Sequence, residues 1–312
     1  MNPSRWLRWL FNVGIAWSIG FTTTTFGQSL PQQSIDFQYD NDLFTQTDQY
    51  YTQGIRWQYT SSQLKRFFLN RMLLKLPNQS QMGNTRTIKL QHAVFTPTNL
   101  GVALPLRNDR PYAGYLTLAY AQQQIDTLHQ QILMSGIQIG SIGRPAFAEG
   151  MQKTIHDVVN SEQPQGWDNQ IAPEALLGYQ LYYQKAILGK IQRSHLHLFG
   201  QINLGNLLTS ALVGVGFQLK NRPKARLRWQ LSGSTQIQWI GHNATLQGGL
   251  FNRSSPHTFT PQQIKRGVVH HQLGGMIGIG QYQVGYAYHL ISPEFVDGDN
   301  HRWGSLKMRV EF

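Results

Sequence analysis

The chain contains no cysteine. No disulfide framework can hold it, so packing or closed hydrogen bonding must do so. Beyond its first residues it has no apolar run long enough for a transmembrane helix. Acid is scarce: 15 Asp and Glu face 27 Lys and Arg, a formal charge of +12 over 312 residues. Two common hydrolase signatures are missing as well. There is no G-x-S-x-G elbow for a serine nucleophile and no H-E-x-x-H zinc spacing.

What is present begins with an export signal. "MNPSRWLRW" carries Arg5 and Arg8, "LFNVGIAWSIGF" is a short apolar run, and "TTTTFGQS" supplies small residues for cleavage. Cleavage is expected after Gly27, with Ser29 the competitor, so residues 1–27 form a signal peptide and 28–312 the mature domain. Loss of the two arginines lowers the charge from +12 to +10. No nucleic-acid recognition motif accompanies that charge. For an exported chain, a phosphate-bearing lipid surface is the expected acidic partner.

Twelve segments alternate with a period of two, from residues 34–40 and 53–61 through 304–312. In "SIDFQYD", "GYLTLAY", "HLHLFGQI" and "RLRWQLSG" one face is apolar or aromatic and the other polar. A soluble periplasmic sandwich also alternates, but aromatics near both strand ends, an even strand count and an export signal favour a membrane barrel. Closure removes the sheet edges that lipid does not tolerate. The expected fold is therefore all-β: a twelve-stranded antiparallel transmembrane β-barrel in a Gram-negative outer membrane. The terminal "SLKMRVEF" alternates and ends on Phe312, as does the strand by which such barrels are recognised by the insertion machinery. A monomer is expected. With both termini in the periplasm, short turns fall at 122–130, 220–225 and 279–280, and residues 61–84 form a long, amphipathic, partly helical exception.

The outer segments 41–52, 97–112 and 142–174 carry the polar residues of interest. Strand 1 ends in Asn41 and Asp42; Asn41 keeps the parity of Tyr39 and should face lipid, where a polar group is tolerated at the interface but costly deeper in. Asn-Asp commonly makes a simple Asx turn. Thr52 follows as the chain returns. "AEGMQKTIHDVV" reads as a short helix in an outer loop, with Met151, Ile155, Val158 and Val159 as an apolar stripe and His156 at its border. Glu162 falls past its end. Separately these residues read as turn, packing and solvated acid; together they place a base, two carboxylates and neutral donors on one rim.

Five motifs in order carry a resemblance: "NDLF…DQYYTQGI", "FTPT…DRPYAGYL", "HDVVNSEQPQGWDNQI", "NATLQGGLF" and "SPEFVDGDNHRWGSLKMRVEF". Over essentially the whole mature chain, the sequence resembles the lipid A 3′-O-deacylase family of outer-membrane barrels. The resemblance implies a calcium-dependent ester hydrolase acting on lipid A of lipopolysaccharide in the outer leaflet. It carries the family's active-site residues onto Asn41, Asp42, Thr52, His156 and Glu162. His156 is then the general base and Asn41 an oxyanion donor. Asp42 and Glu162 hold Ca²⁺, with Glu162 alternatively orienting His156, and Thr52 orients a ligand or water. One departure stands out: the family's lysine of the second outer loop has no counterpart in "TPTNLGVALPLRNDR", where Arg107 and Arg110 are the candidate charges. A phospholipase of the same membrane, or an inactive pore or structural barrel, are the rival readings.

Overall fold

The computed structural model describes residues 33–45, 47, 49–77, 83–106, 108–159, 162–221 and 226–312. The expected signal peptide lies outside them. Twelve strands run in chain order: β1 (Gln33–Asn41), β2 (Tyr50–Ser61), β3 (Gly83–Thr96), β4 (Ala113–Asp126), β5 (Gln131–Ile142) and β6 (Glu174–Gly189). They continue as β7 (His195–Gly205), β8 (Leu208–Lys220), β9 (Leu227–Asn243), β10 (Gly267–Ile279), β11 (Tyr282–Ile291) and β12 (His301–Glu311). Each pairs antiparallel with its chain neighbours, and β1 pairs with β12, so the sheet closes without an edge. The closing seam runs from Ser34 opposite Glu311 to Asn41 opposite Gly304.

Alternation places the two faces as their chemistry requires. Leu90, Leu118, Ile139 and Leu177 stand opposite one another across β3–β6 and are exposed on the outer wall. Water would not tolerate such a belt; lipid does. The interior is polar and filled. Asp40 is buried and accepts hydrogen bonds from Gln38 Nε2 (2.7 Å), Tyr51 Oη (2.8 Å) and Ser305 Oγ (2.6 Å). Arg309 Nε donates to Asp36 across the seam at 2.5 Å. Charges removed from water need such partners, and here they knit β1, β2 and β12 together.

Both ends of the described barrel chain, Gln33 and Phe312, hydrogen-bond at one rim. The links Thr127–Gln130 and Gly280–Gln281 at that rim are short, as periplasmic turns are. Two expectations are corrected here. The β4–β5 turn is not 122–130, because β4 continues to Asp126. The 61–84 segment is shorter at both ends, because Ser61 belongs to β2 and Gly83 and Asn84 to β3, and its helical part among the described residues is the 3-10 turn Phe68–Arg71. The opposite rim carries the long loops and two helices, α1 (Ala148–Val159) and the one-turn α2 (Ala244–Gln247).

Candidate active site

Gly304, Asn41, Gln53, Val94 and Gly114 form one register row across β12, β1, β2, β3 and β4. The row lies on the outer face, since Tyr39, Ile55 and His92 precede it and Phe37, Trp57 and the lipid-exposed Leu90 precede those. Glycine at each end admits a cover. A Cβ on Gly304 would stand 2.7 Å from Phe44 Cβ, and one on Gly114 would stand 2.1 Å from Ala148 Cβ. The 42–49 loop therefore sits down over β12 and α1 over β4. Four strand spacings separate the two, roughly 19 Å. Between them the row's floor is Asn41 and Gln53.

Asn41 ends β1, and the simple turn expected of Asn-Asp is real but incomplete as an account of it. Its Oδ1 accepts Leu43 N–H at 2.7 Å, while Nδ2 donates to Tyr39 Oη at 2.9 Å. A carboxamide nitrogen has two hydrogens, so one remains for another acceptor. Asp42 opens the 3-10 turn Asp42–Thr45 and is fully buried. Its Oδ2 accepts Gln49 N–H at 2.7 Å, and its carbonyl accepts from the hydroxyls of Thr45 (2.8 Å) and Thr47 (3.2 Å). Asp42 thus ties this turn together, once through its carboxylate and twice through its carbonyl. Thr52 is the extra residue of a β-bulge between Tyr51 and Gln53, and its hydroxyl meets that of Thr96 at 2.6 Å. Bulges re-aim side chains and recur beside active sites.

α1 buries a mixed face against the wall and leaves Gly150, Thr154, Asp157 and Val158 exposed. Its buried residues are Ala148, Gln152 and His156, spaced i, i+4, i+8 on one face. Of the expected apolar stripe, Met151 and Ile155 are half-buried and flank that face, while Val158 is 80% exposed. Gln152 lies at the centre of the buried face and His156, itself buried, at its edge. Ala148 and Trp167 pack with Val94, Leu100 and Tyr112, and Trp167 Nε1 donates to Gln152 Oε1 at 2.8 Å. These contacts clamp the helix onto the outer wall.

His156 Nδ1 lies 2.5 Å from the backbone carbonyl of Glu162. A carbonyl only accepts, so Nδ1 carries the proton and Nε2 the lone pair, the form a general base needs. Glu162 thus orients His156 through its main chain. Its carboxylate is exposed and lies over Gly101, where a Cβ would stand 2.5 Å from Oε1 and 3.6 Å from Asn99 Oδ1. The second and third outer loops are laced together there, with Gln165 N–H donating to the Leu100 carbonyl at 2.9 Å.

Two residues escaped the reading of the sequence. Gln53 is buried in the floor of the row, yet neither its Oε1 nor its Nε2 has a hydrogen-bond partner among the described residues. The signal was available: Gln53 shares the outward parity of Ile55 and Trp57, as Asn41 shares that of Tyr39. His92 also faces outward and is buried, with Nε2 2.9 Å from the Ala146 carbonyl, so it ties the loop ahead of α1 to the wall.

The family model for outer membrane protein LpxR matches residues 14–312. The chain belongs to the LpxR family. This is the lipid A deacylase family that its motifs resemble, and it places the barrel in the Gram-negative outer membrane. Among solved structures, LpxR from Salmonella typhimurium is similar with a TM-score of 0.72 at 16% identity, over 89% of this chain and 100% of that one. The β domain of the Bordetella autotransporter BrkA gives 0.48 at 7% identity, over 90% and 98%. Comparison with curated proteins finds no match.

Within this LpxR-family chain the missing lysine is not replaced by Arg110. That guanidinium is buried at the barrel mouth, paired with Glu294, donating to Thr245 Oγ1 at 2.6 Å and stacked 4.4 Å over Phe95. It is turned away from the lipid-side row. Arg107 lies outside the described residues. As for calcium, no three His, Asp or Glu side chains gather as a ready-made cage among the described residues. The donors at this rim are nonetheless hard oxygens: the carboxylates of Asp42 and Glu162, the hydroxyls of Thr52 and Thr96, and the amide oxygen of Asn99. That is the donor chemistry calcium takes, with carbonyls and water completing the shell.

Proposed function

We propose that this protein is a calcium-dependent ester hydrolase that removes the 3′-linked acyl or acyloxyacyl chain from lipid A in the outer leaflet. The observation that carries the reading is His156: a buried imidazole with its tautomer set by the Glu162 carbonyl, on the wall-facing side of a helix laid against the lipid side of the barrel. A base in that place serves a substrate that lies in the leaflet.

In this reading His156 Nε2 takes a proton from water as the water oxygen attacks the ester carbonyl carbon. The second Nδ2 hydrogen of Asn41 donates to the oxyanion that forms. As the carbon–oxygen bond to the sugar breaks, His156 returns its proton to the departing sugar oxygen, leaving a free hydroxyl and a fatty acid. Thr52 orients water or a ligand at the floor of the row. Asp42 and Glu162 would hold calcium, which when bound supplies positive charge that polarises the ester carbonyl. Buried polar groups such as Gln38, Asp40, Gln180, Gln201 and Gln236 fill the interior, which argues against a passive pore.

One observation favours a second reading. With no lysine in the 97–112 loop and Arg110 committed to Glu294, the headgroup contact differs, as it would in a phospholipase of the same membrane. Mass spectrometry of lipids from cells with and without the protein separates the two. Lipid A lighter by the 3′-linked chain supports the proposal; unchanged lipid A with accumulating lysophospholipid supports the rival.

A further inference from the structure

The segment after β2 does not hang free in the periplasm. Gln122 and Ser135 stand opposite Arg86 and each other, four residues beyond Leu118 and Ile139 on the same outward face of the wall. The 62–77 segment is fastened to that face. Asn70, buried, donates to Gln122 Oε1 at 2.5 Å and accepts from Tyr120 Oη. Leu76 N–H donates to Gln124 Oε1 at 2.8 Å. Leu74 receives Ser135 Oγ at its carbonyl (2.9 Å) and gives its N–H to Tyr179 Oη (3.0 Å). Arg86 donates to the Leu64 carbonyl. The segment is a strap laid across β3–β6 outside the barrel, directly below the lipid-exposed belt of Leu90, Leu118, Ile139 and Leu177.

Its free surface has two kinds of side chain. Phe67, Phe68, Met72 and Leu74 are exposed, with Phe68 at 69%. Lys65, Arg66, Arg71 and Lys75 are exposed beside them, and residues 62–82 contain no acid. Apolar and basic side chains on one irregular segment, at the level where hydrocarbon gives way to headgroups, are the composition of an interfacial anchor. The short-turn rim is the periplasmic one, so the leaflet in question is the inner leaflet, opposite the active site.

We propose that the strap is a binding surface for anionic phospholipid of the inner leaflet: its aromatic and Met side chains enter the acyl boundary while its four cations hold phosphate headgroups. The proposal is independent of the catalytic reading. A basic side chain near an anionic surface is worth roughly fivefold in affinity, so four give a clear preference for acidic over zwitterionic lipid.

The test uses the full mature protein in bilayers of equal parts phosphatidylglycerol and phosphatidylcholine, with retained lipids read by native mass spectrometry. The wild type should retain phosphatidylglycerol preferentially, and high salt should erase the preference. Lys65→Gln, Arg66→Gln, Arg71→Gln and Lys75→Gln combined should reduce it about fivefold or more. Arg253→Gln with Lys265→Gln, at the opposite rim, should leave it intact. If the fourfold variant assembles poorly, Arg66→Gln with Lys75→Gln gives an intermediate loss in a barrel checked by heat-modifiable gel migration. An unchanged lipid ratio in the folded strap variants overturns the proposal. So does a shift from dimer to monomer at unchanged ratio, which makes the strap a subunit contact.

Discussion

At the scale of single residues, the site separates roles by which atoms are already engaged. His156→Ala removes the base and should lower deacylation by roughly 10²–10⁴ without disturbing assembly, since α1 adds nothing to the strand ladder. Asn41→Ala should cost roughly 10²–10³ in rate while the response to calcium persists, because its proposed partner is the oxyanion. Asp42→Ala should lose rate and calcium response together, and some order in the 42–49 loop that the carboxylate gathers. Titrating each variant with calcium, with folding checked by heat-modifiability, distinguishes the three; near-normal activity in folded His156→Ala would remove it as the base. Gln53→Leu should leave the barrel as stable as before, since no protein partner is lost among the described residues. A raised KM there would identify Gln53 as a substrate contact.

At the scale of elements, strand parity was the most legible part of the sequence. It placed all twelve strands, sent Asn41 to the outer face and confined the long loops to one rim, with the segment between β2 and β3 the exception. The same parity marked Gln53 as a polar group facing outward, but a single glutamine in "YYTQGI" carries no signal until α1 is seen to cover its row. The helix was legible in extent and only partly in orientation. Met151 and Ile155 flank the buried face as the rule for surface helices expects, but Gln152 and His156 are buried within it and Val158 is left exposed beside Asp157. Loop lacing across sequence, such as Arg110 with Glu294, had no local signature at all. The orientation of α1 rests on Gly114, so Gly114→Leu should lift the helix from β4 and abolish activity in a barrel that still migrates as folded. Double substitution with Ala148→Gly should restore part of the rate.

For the whole molecule, the absence of cysteine provides a clean test of topology. Ser254→Cys and Leu128→Cys introduce single exposed thiols at opposite rims. An impermeant maleimide applied to intact cells should label the first and spare the second; the reverse pattern would place the site in the periplasm and end the lipid A reading. Purified protein should lose activity in chelator and regain it with calcium better than with magnesium, which holds its water and demands stricter geometry. Full activity in excess chelator would remove the metal from the reaction.

Because the row lies on the outer wall between the exposed Phe44 and the base of α1, with Val158 exposed and His156 buried beneath the helix, the proposed reaction would be reached sideways, within the plane of the leaflet. Substrate would then arrive by lateral diffusion and never leave its two-dimensional phase. On the proposed function, turnover would be set by the surface mole fraction of lipid A, not by its concentration in the tube. Adding inert detergent at constant substrate should slow the enzyme by dilution alone, and a tightly packed, cation-bridged leaflet should slow it by denying neighbours the freedom to exchange places.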